Sequence, residues 1–259
     1  MKARQIRESI VSRAEWVDPA RTVDTFKHGD PDVEVTSAAV TWMLTIDAID
    51  EAERLGVNFV ITHEPTFYSH HDEVELVKDD AVYQAKRRRL DEAGLTVLRI
   101  HDSWDPWPEI GIGATLASLL ELTRLETGDR NRKIYGTKQP TSLEAFAGFV
   151  RGKLGMDAVG VMGDGVQSVE RVGLAFGAIG GLESMRRFLR MKPDVLVAGE
   201  LCNWSDVRYL QDNRCALVLT DHAASENPGL RSLARFVAEQ FGVETHFIEV
   251  GPALRTLAS

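Results

Sequence analysis

Cysteine is scarce in this sequence, because its 259 residues include only Cys202 and Cys215. The two are not spaced as a C-x-x-C pair. The sequence therefore offers no disulfide framework, no redox pair of that type and no thiolate zinc site. We interpret both residues as ordinary core or surface thiols.

Long apolar runs and an excess of basic charge are also missing. No segment approaches the roughly 20 apolar residues that a membrane span needs, and the N-terminal stretch lacks the apolar core of a signal peptide. The 39 acidic residues outnumber the 30 basic residues and give a net charge of −9, which repels nucleic acid and anionic lipid at long range. We therefore expect a cytoplasmic protein without a nucleic-acid or membrane partner.

What the sequence does contain is typical of a globular α/β protein. Hydrophobic residues make up 44% of the chain and charged residues 27%, and short apolar runs alternate with stretches of helical periodicity. The predicted strands are 37–44, 58–62, 95–100, 159–162, 172–176, 195–198, 216–220 and 244–250. The predicted helices are 3–14, 46–55, 79–93, 114–122, 142–154, 182–191, 205–212 and 227–241.

The same order of elements occurs twice along the chain: strand, helix, strand ending on polar residues, helix, strand ending on polar residues, helix. We interpret this as the duplication of one α/β unit, with the two copies related by a pseudo-twofold axis and with helices layered on mixed sheets. The predicted halves are residues 1–125 and 141–259. Residues 126–140 are rich in charge and contain Gly128, Gly136 and Pro140, which predicts a connection between the halves.

Three predicted strands lead into residues that can bind metal, at the edge of an open α/β sheet where functional groups collect. These residues are His63, Glu64, His101, Asp105, His222 and Glu226. Imidazole and carboxylate ligands together suit zinc, iron, manganese or cobalt better than calcium or copper. Several carboxylates can also hold two cations, whereas any single one of these residues can instead cap backbone groups. A twofold axis between the copies would bring equivalent strand ends together across a cleft.

These segments together resemble the Nif-three-like dinuclear metal-centre proteins, some of which are labelled GTP cyclohydrolase I type 2. The resemblance covers nearly the whole chain and rests on the motifs at 26–35, Thr62-His63-Glu64-Pro65, 101–105, Gly199-Glu200 and 221–230. It implies two intertwined α/β halves, a ring-shaped homo-hexamer and two metal ions that face the interior of the ring. The metal ligands that it implies are His63, Glu64, Asp105, His222 and Glu226.

The sequence departs from the family pattern at two places. Glu64 replaces the second of two consecutive histidines, so the site either gains a carboxylate ligand that favours harder metals or loses one metal position. The segment Cys202-Asn203-Trp204 stands where the family usually has a pair of histidines after Gly-Glu. The chemistry that those histidines support is therefore not expected here.

We expect a metal-dependent hydrolase with a one- or two-metal centre, in which His101 is a catalytic residue that orients a ligand or moves a proton. A small nucleotide or another phosphate-bearing molecule is the expected substrate, from the family label and the chemistry of two-metal sites. The glycine-rich stretch 177–181 lacks the G-x-G-x-x-G order and is consistent with a tight turn instead. The alternative is a metal-binding oligomer that acts as a scaffold or regulator without turnover.

Overall fold

The computed structural model describes residues 1–122 and 124–254. They form two compact units. The first comprises Met1–Gly111 and Leu230–Val250, and the second comprises Ile112–Gly229 with the described residues from Gly251 onward. Each unit contains one mixed β-sheet together with helices, which confirms the predicted α/β class. Over the described ranges, no helix combines the length and the apolar character that crossing a membrane requires.

The elements follow one another along the chain in this order. They are α1 (Ala3–Arg13), β1 (Phe26–His28), β2 (Ser37–Thr41), α2 (Ile46–Leu55), β3 (Phe59–Thr62), a 3₁₀ turn (Val74–Leu76), α3 (Ala81–Glu92), β4 (Thr96–Arg99), α4 (Ile112–Leu119), β5 (Arg124–Gly128), β6 (Lys133–Ser142), α5 (Leu143–Leu154), β7 (Gly160–Met162), β8 (Ser168–Ala178), α6 (Gly181–Arg190), β9 (Val195–Glu200), α7 (Asp206–Asp212), β10 (Ala216–Leu219), α8 (His222–Phe241) and β11 (Glu244–Ile248).

Three parallel strands, β2, β3 and β4, form the centre of the first unit's sheet, whose order is β1-β4-β3-β2-β11. Strand β11 runs parallel to β2, and β1 runs antiparallel to β4. The three central strands end level, because Thr41 pairs with Thr62 and Thr62 pairs with Arg99. The residues that follow β3 and β4 therefore leave the sheet at the same edge, which is where parallel sheets place functional groups.

The second unit's sheet has the order β5-β6-β8-β9-β10-β7. Its centre is again three parallel strands, β8, β9 and β10, and again an antiparallel strand lies beside the third of them. Val172, Val197 and Val218 are buried in the core of this unit. The three strands and the two helices between them follow the predicted order in each unit, as β2-α2-β3-α3-β4 and as β8-α6-β9-α7-β10. The closing helices do not follow the predicted halves, because α4 lies in the second unit and most of α8 lies in the first.

Residues 126–140 do not form the predicted connection, because most of them lie in the antiparallel pair β5 and β6. Every residue of β5 is exposed, so the strand has no apolar face that would mark it in the sequence. The last strand, β11, also differs from the expectation based on sequence order. It lies within the second predicted half, residues 141–259, but pairs with β2 in the first unit's sheet.

Helix α8 begins five residues earlier than predicted. Asn227-Pro228 is typical of a helix start, yet the helix begins at His222 and contains Pro228 in its interior. Asp221 caps this earlier start, because its Oδ1 atom accepts a hydrogen bond from the backbone N–H of Ala224 at 3.0 Å. The earlier start places residues 222 and 226 one helical turn apart.

Candidate metal centre

His63 follows β3 in the first unit and is completely buried. Its Nδ1 atom lies 2.9 Å from the carbonyl oxygen of Ile100. Because a carbonyl oxygen can only accept a hydrogen bond, Nδ1 carries a proton, and Nε2 is the nitrogen that faces away from the backbone. That Nε2 atom lies 3.2 Å from Oδ1 of Asp105. Two acceptors at this distance need a proton or a metal cation between them.

His101 lies beside this pair and is oriented by a carboxylate. Its ring stacks on His63 with centroids 4.6 Å apart, and its Nδ1 atom is 3.1 Å from Oδ1 of Asp102. The other oxygen of Asp102 accepts a hydrogen bond from Thr22 Oγ1 at 2.8 Å. Burial alone would lower the pKa of His101, but neighbouring carboxylates, led by Asp105, raise it to about 10. Without a metal, His101 is therefore protonated at neutral pH.

Asp24 fixes the loop that carries these residues, although the sequence offers no signal for it. Its buried carboxylate accepts hydrogen bonds from the backbone N–H groups of His101, Asp102 and Ser103, at 2.7, 3.0 and 2.8 Å, and from Ser103 Oγ at 2.5 Å. Nothing in the spacing of an isolated loop aspartate points to this role. The loop after β4 is thus held by one side chain from the loop before β1.

Arg99, at the end of β4, is a second residue that the sequence analysis does not single out. Its side chain is completely buried, and Nε donates a hydrogen bond to the carbonyl oxygen of His63 at 2.9 Å. Nη1 donates to the carbonyl oxygen of His70, and Nη2 lies 3.5 Å from Oε2 of Glu64. A signal was available, because Arg99 is a charged residue inside the apolar run 95–100.

The candidate ligands of the first unit lie close enough together to hold a metal ion. One donor atom from each of His63, Glu64 and His101 lies within 4.8 Å of the other two. Asp105 joins the group through His63, and its own pKa is lowered by the neighbouring imidazoles despite its burial. This mixture of imidazole nitrogen and carboxylate oxygen fits a divalent transition metal.

The second unit has its own set of histidine and carboxylate ligands. His222 Nε2 lies 3.3 Å from Oε1 of Glu226, one turn later on α8, and Nδ1 lies 3.2 Å from Oε1 of Glu200 at the end of β9. Gly177 makes room for them. It has a φ of +60°, and a Cβ atom there would lie 2.2 Å from the Glu226 carboxylate and 2.8 Å from the His222 ring. The convergence of the two units' ligands on one cleft stays a prediction.

Comparison with known proteins places this geometry in a family. A family model described as Duf34/NIF3 (NGG1p interacting factor 3) matches residues 22–253. The chain belongs to the Duf34/NIF3 family. The resemblance to Nif-three-like proteins that the motifs indicate is thereby confirmed.

Curated relatives and solved structures agree with this membership in Duf34/NIF3. The chain is 29% identical to a GTP cyclohydrolase 1 type 2 homolog of Pyrococcus abyssi, over 85% of this chain and 86% of that protein. It is 24% identical to the GTP cyclohydrolase 1 type 2 homolog of Escherichia coli K12, over 84% and 85% of the two chains. A Staphylococcus aureus hypothetical protein of known structure has the same fold, with a TM-score of 0.81, 16% identity and 99% coverage of both chains.

This Duf34/NIF3 member has no histidine where the motif comparison expects a pair after Gly199-Glu200. The backbone N–H groups of Cys202 and Asn203 instead donate hydrogen bonds to Oδ2 of Asp206 at 2.9 and 2.8 Å. The side chain of Trp204 is 90% exposed. The segment therefore lies just before α7 and supplies no imidazole ligand.

Three other ring side chains near the candidate site of this Duf34/NIF3 member are either packed in the core or exposed to solvent, namely Trp104, His70 and His71. Trp104 is completely buried and packs on Trp107 and Phe236, with ring centroids 5.1 and 5.3 Å away. His70 and His71 are exposed. Of these two, His70 has a ring contact with His101, edge to face at 5.8 Å.

Proposed function

We propose that this protein is a metal-dependent hydrolase that acts on a small phosphate-bearing molecule. The observation that carries the proposal is the pair His63 and Asp105, whose acceptor atoms face each other at 3.2 Å while the opposite nitrogen of His63 is held by a carbonyl oxygen. Zinc, iron, manganese and cobalt all accept such ligands. The proposed ligands are His63, Glu64 and Asp105 from the first unit and His222 and Glu226 from the second.

The residues around this pair are suited to hydrolysis. A divalent ion, when bound, acts as a Lewis acid and lowers the pKa of water to about 7 in the best-known zinc sites. His101 can then move a proton, because Asp102 holds its Nδ1 atom and its Nε2 atom points toward Glu64 at 3.9 Å. A carboxylate that orients an imidazole in this way is common to many sites of general acid–base catalysis.

The substrate class rests on charge and on the relatives. The chain carries a net charge of −9, so a metal cation would supply the positive field that a phosphate group needs at the site. The relatives from Pyrococcus abyssi and Escherichia coli K12 bear the name GTP cyclohydrolase 1 type 2 homolog, which supports a nucleotide as the first substrate to test. A homo-hexameric ring in the cytoplasm completes the proposal.

Turnover is the experiment that separates an enzyme from a scaffold. The wild-type protein, loaded with manganese, zinc or iron, is assayed on a panel of nucleotides and phosphoesters beside the His101→Gln and His222→Ala variants. Loss of a general acid–base costs about 100- to 10,000-fold in rate, so we expect His101→Gln to lose at least about 100-fold with metal still bound. Wild-type turnover no higher than that of His222→Ala, with every metal tested, would contradict the hydrolase and favour a non-catalytic metal-binding scaffold.

A further inference from the structure

Arg99 places a permanent positive charge at the candidate metal centre. Its guanidinium is completely buried, and arginine keeps its proton in proteins. A buried cation is costly unless a negative group compensates for it. The compensating group here is Glu64, which is only 13% exposed and lies 3.5 Å from Nη2 of Arg99.

The two carboxylate oxygens of Glu64 face different partners. Oε2 is the oxygen near Arg99, whereas Oε1 lies 3.9 Å from Nε2 of His101. Arg99 is itself anchored by hydrogen bonds to the carbonyl oxygens of His63 and His70. A guanidinium fixed at two further points attracts one oxygen of Glu64 as a buried ion pair at 3.5 Å, and the other oxygen then faces His101.

A histidine at position 64, which the family resemblance predicts, would present one donor atom and no charge. A glutamate alone presents two donor atoms and one negative charge. Glu64 together with Arg99 presents one oxygen that faces away from the guanidinium, and the pair has no net charge. The pair is therefore equivalent to a histidine in charge and in number of donors, but it offers oxygen instead of nitrogen.

We propose that Arg99 is a positioning residue. Its guanidinium offsets the negative charge of Glu64 and leaves one carboxylate oxygen of Glu64 to act as the metal ligand. This inference rests on the proposed function only in requiring that a divalent ion binds at Glu64, and it does not require turnover. It retains the number of ligands at this position and exchanges a borderline nitrogen for a hard oxygen. The metal preference of this chain should accordingly move toward manganese.

A rescue experiment on the full-length protein tests the coupling between the two residues. Manganese and zinc affinities are measured by titration calorimetry after chelator treatment, for the wild type, Glu64→His and Glu64→His with Arg99→Met. We expect Glu64→His alone to bind at least about 10-fold more weakly, since changes next to metal ligands typically cost 10- to 100-fold and Arg99 then lacks its counter-ion. Adding Arg99→Met should reverse this loss and return the zinc affinity to that of the wild type.

Arg89→Met in the Glu64→His background is the matched control. Arg89 also forms ion pairs, with Asp50 and Glu53, but on the surface of α2 and α3, so its removal should not rescue binding. The proposal is overturned if Glu64→His binds as tightly as the wild type, or if Arg99→Met rescues no better than Arg89→Met. Wild-type protein that binds no metal would overturn the proposed function as well, whereas normal wild-type binding without rescue would overturn this inference alone.

Anomalous diffraction from a metal-soaked wild-type crystal provides a second test. It needs no substituted protein, so the folding of a variant cannot affect the result. An ion contacted by Oε1 of Glu64, with Oε2 still beside Arg99, is the expected result. An ion bound by both oxygens of Glu64, or by neither, would contradict the proposal.

Discussion

At the scale of single residues, the imidazole of His63 is held so tightly that only one of its nitrogen atoms is available for metal. Nδ1 is engaged with Ile100 and Nε2 faces Asp105. A carbonyl partner on the opposite nitrogen, as Ile100 is here, sets the tautomer and orientation of metal-binding histidines in many proteins. The backbone of Ile100 therefore fixes the orientation of this ring and leaves Nε2 facing Asp105.

Lys86 on α3 is a buried charge whose effect on stability can be measured separately. It is only 1% exposed, and its Nζ atom donates a hydrogen bond to the carbonyl oxygen of Thr66 at 2.5 Å. Burial lowers its pKa to about 8, although Asp72 opposes the shift. Between about pH 8 and 10.5 the unfolded chain therefore binds a proton that the folded protein lacks, so stability rises with pH in this window.

We expect this rise to be about 3 kcal/mol, at 1.36 kcal/mol for each pH unit between the two pKa values. Urea unfolding of the wild type and of Lys86→Met, from pH 7.5 to 10.5, measures it as the difference between the two profiles. Groups other than Lys86 titrate in both proteins and cancel. Parallel profiles would show that Lys86 is not responsible.

At the scale of elements, the start of α8 is what brings His222 and Glu226 together. Residues four apart on a helix lie on the same face, and the helix begins at His222 itself. Gly177, at the end of β8, leaves the space that these two side chains occupy. The helix and the strand of the second unit thus build this half of the candidate centre jointly.

Gly177→Ala tests that joint construction. A Cβ atom would collide with the Glu226 carboxylate and would also force alanine into a positive φ. We expect the free energy of unfolding to fall by more than about 1 kcal/mol, and metal affinity to fall with it. Chemical denaturation and calorimetric metal titration measure the two effects.

Gly148→Ala is the matched control for this substitution. Gly148 lies inside α5, and a Cβ atom there would meet nothing within 4 Å. Because alanine favours helix more than glycine does, this change should stabilise the protein by up to about 1 kcal/mol and leave metal binding unchanged. Equal effects of the two substitutions would contradict the role assigned to Gly177.

The sequence predicts elements well where local chemistry determines them. The helix after Ser142 starts as expected, with Ser142 Oγ accepting a hydrogen bond from the N–H of Ala145 at 3.2 Å. Prediction from the sequence fails where contacts between distant residues determine an element. Examples are the exposed strand β5 and helix α8, which continues through Pro228. The candidate ligands could also be predicted from local sequence, because they follow apolar strands.

Asp24 could not be predicted, because its hydrogen-bond partners lie about 80 positions away in the chain.

At the scale of the whole molecule, assembly is the part of the proposal that rests on family resemblance. The Duf34/NIF3 family model matches residues 22–253, and the motif resemblance implies a homo-hexameric ring. We expect multi-angle light scattering to give six times the chain mass, with and without chelator. A monomer at micromolar concentration would contradict the ring and weaken the transfer of other family properties to this chain.

The central claim is that His63 binds a divalent metal ion. Chelator-treated wild-type protein, titrated with zinc or manganese by calorimetry and checked by elemental analysis, should take up one or two ions per chain. His63→Gln should bind at least about 10-fold more weakly, whereas His71→Gln, which changes an exposed histidine outside the cluster, should bind as the wild type does. Negligible uptake by the wild type, or equal affinities of the wild type and His63→Gln, would contradict the claim.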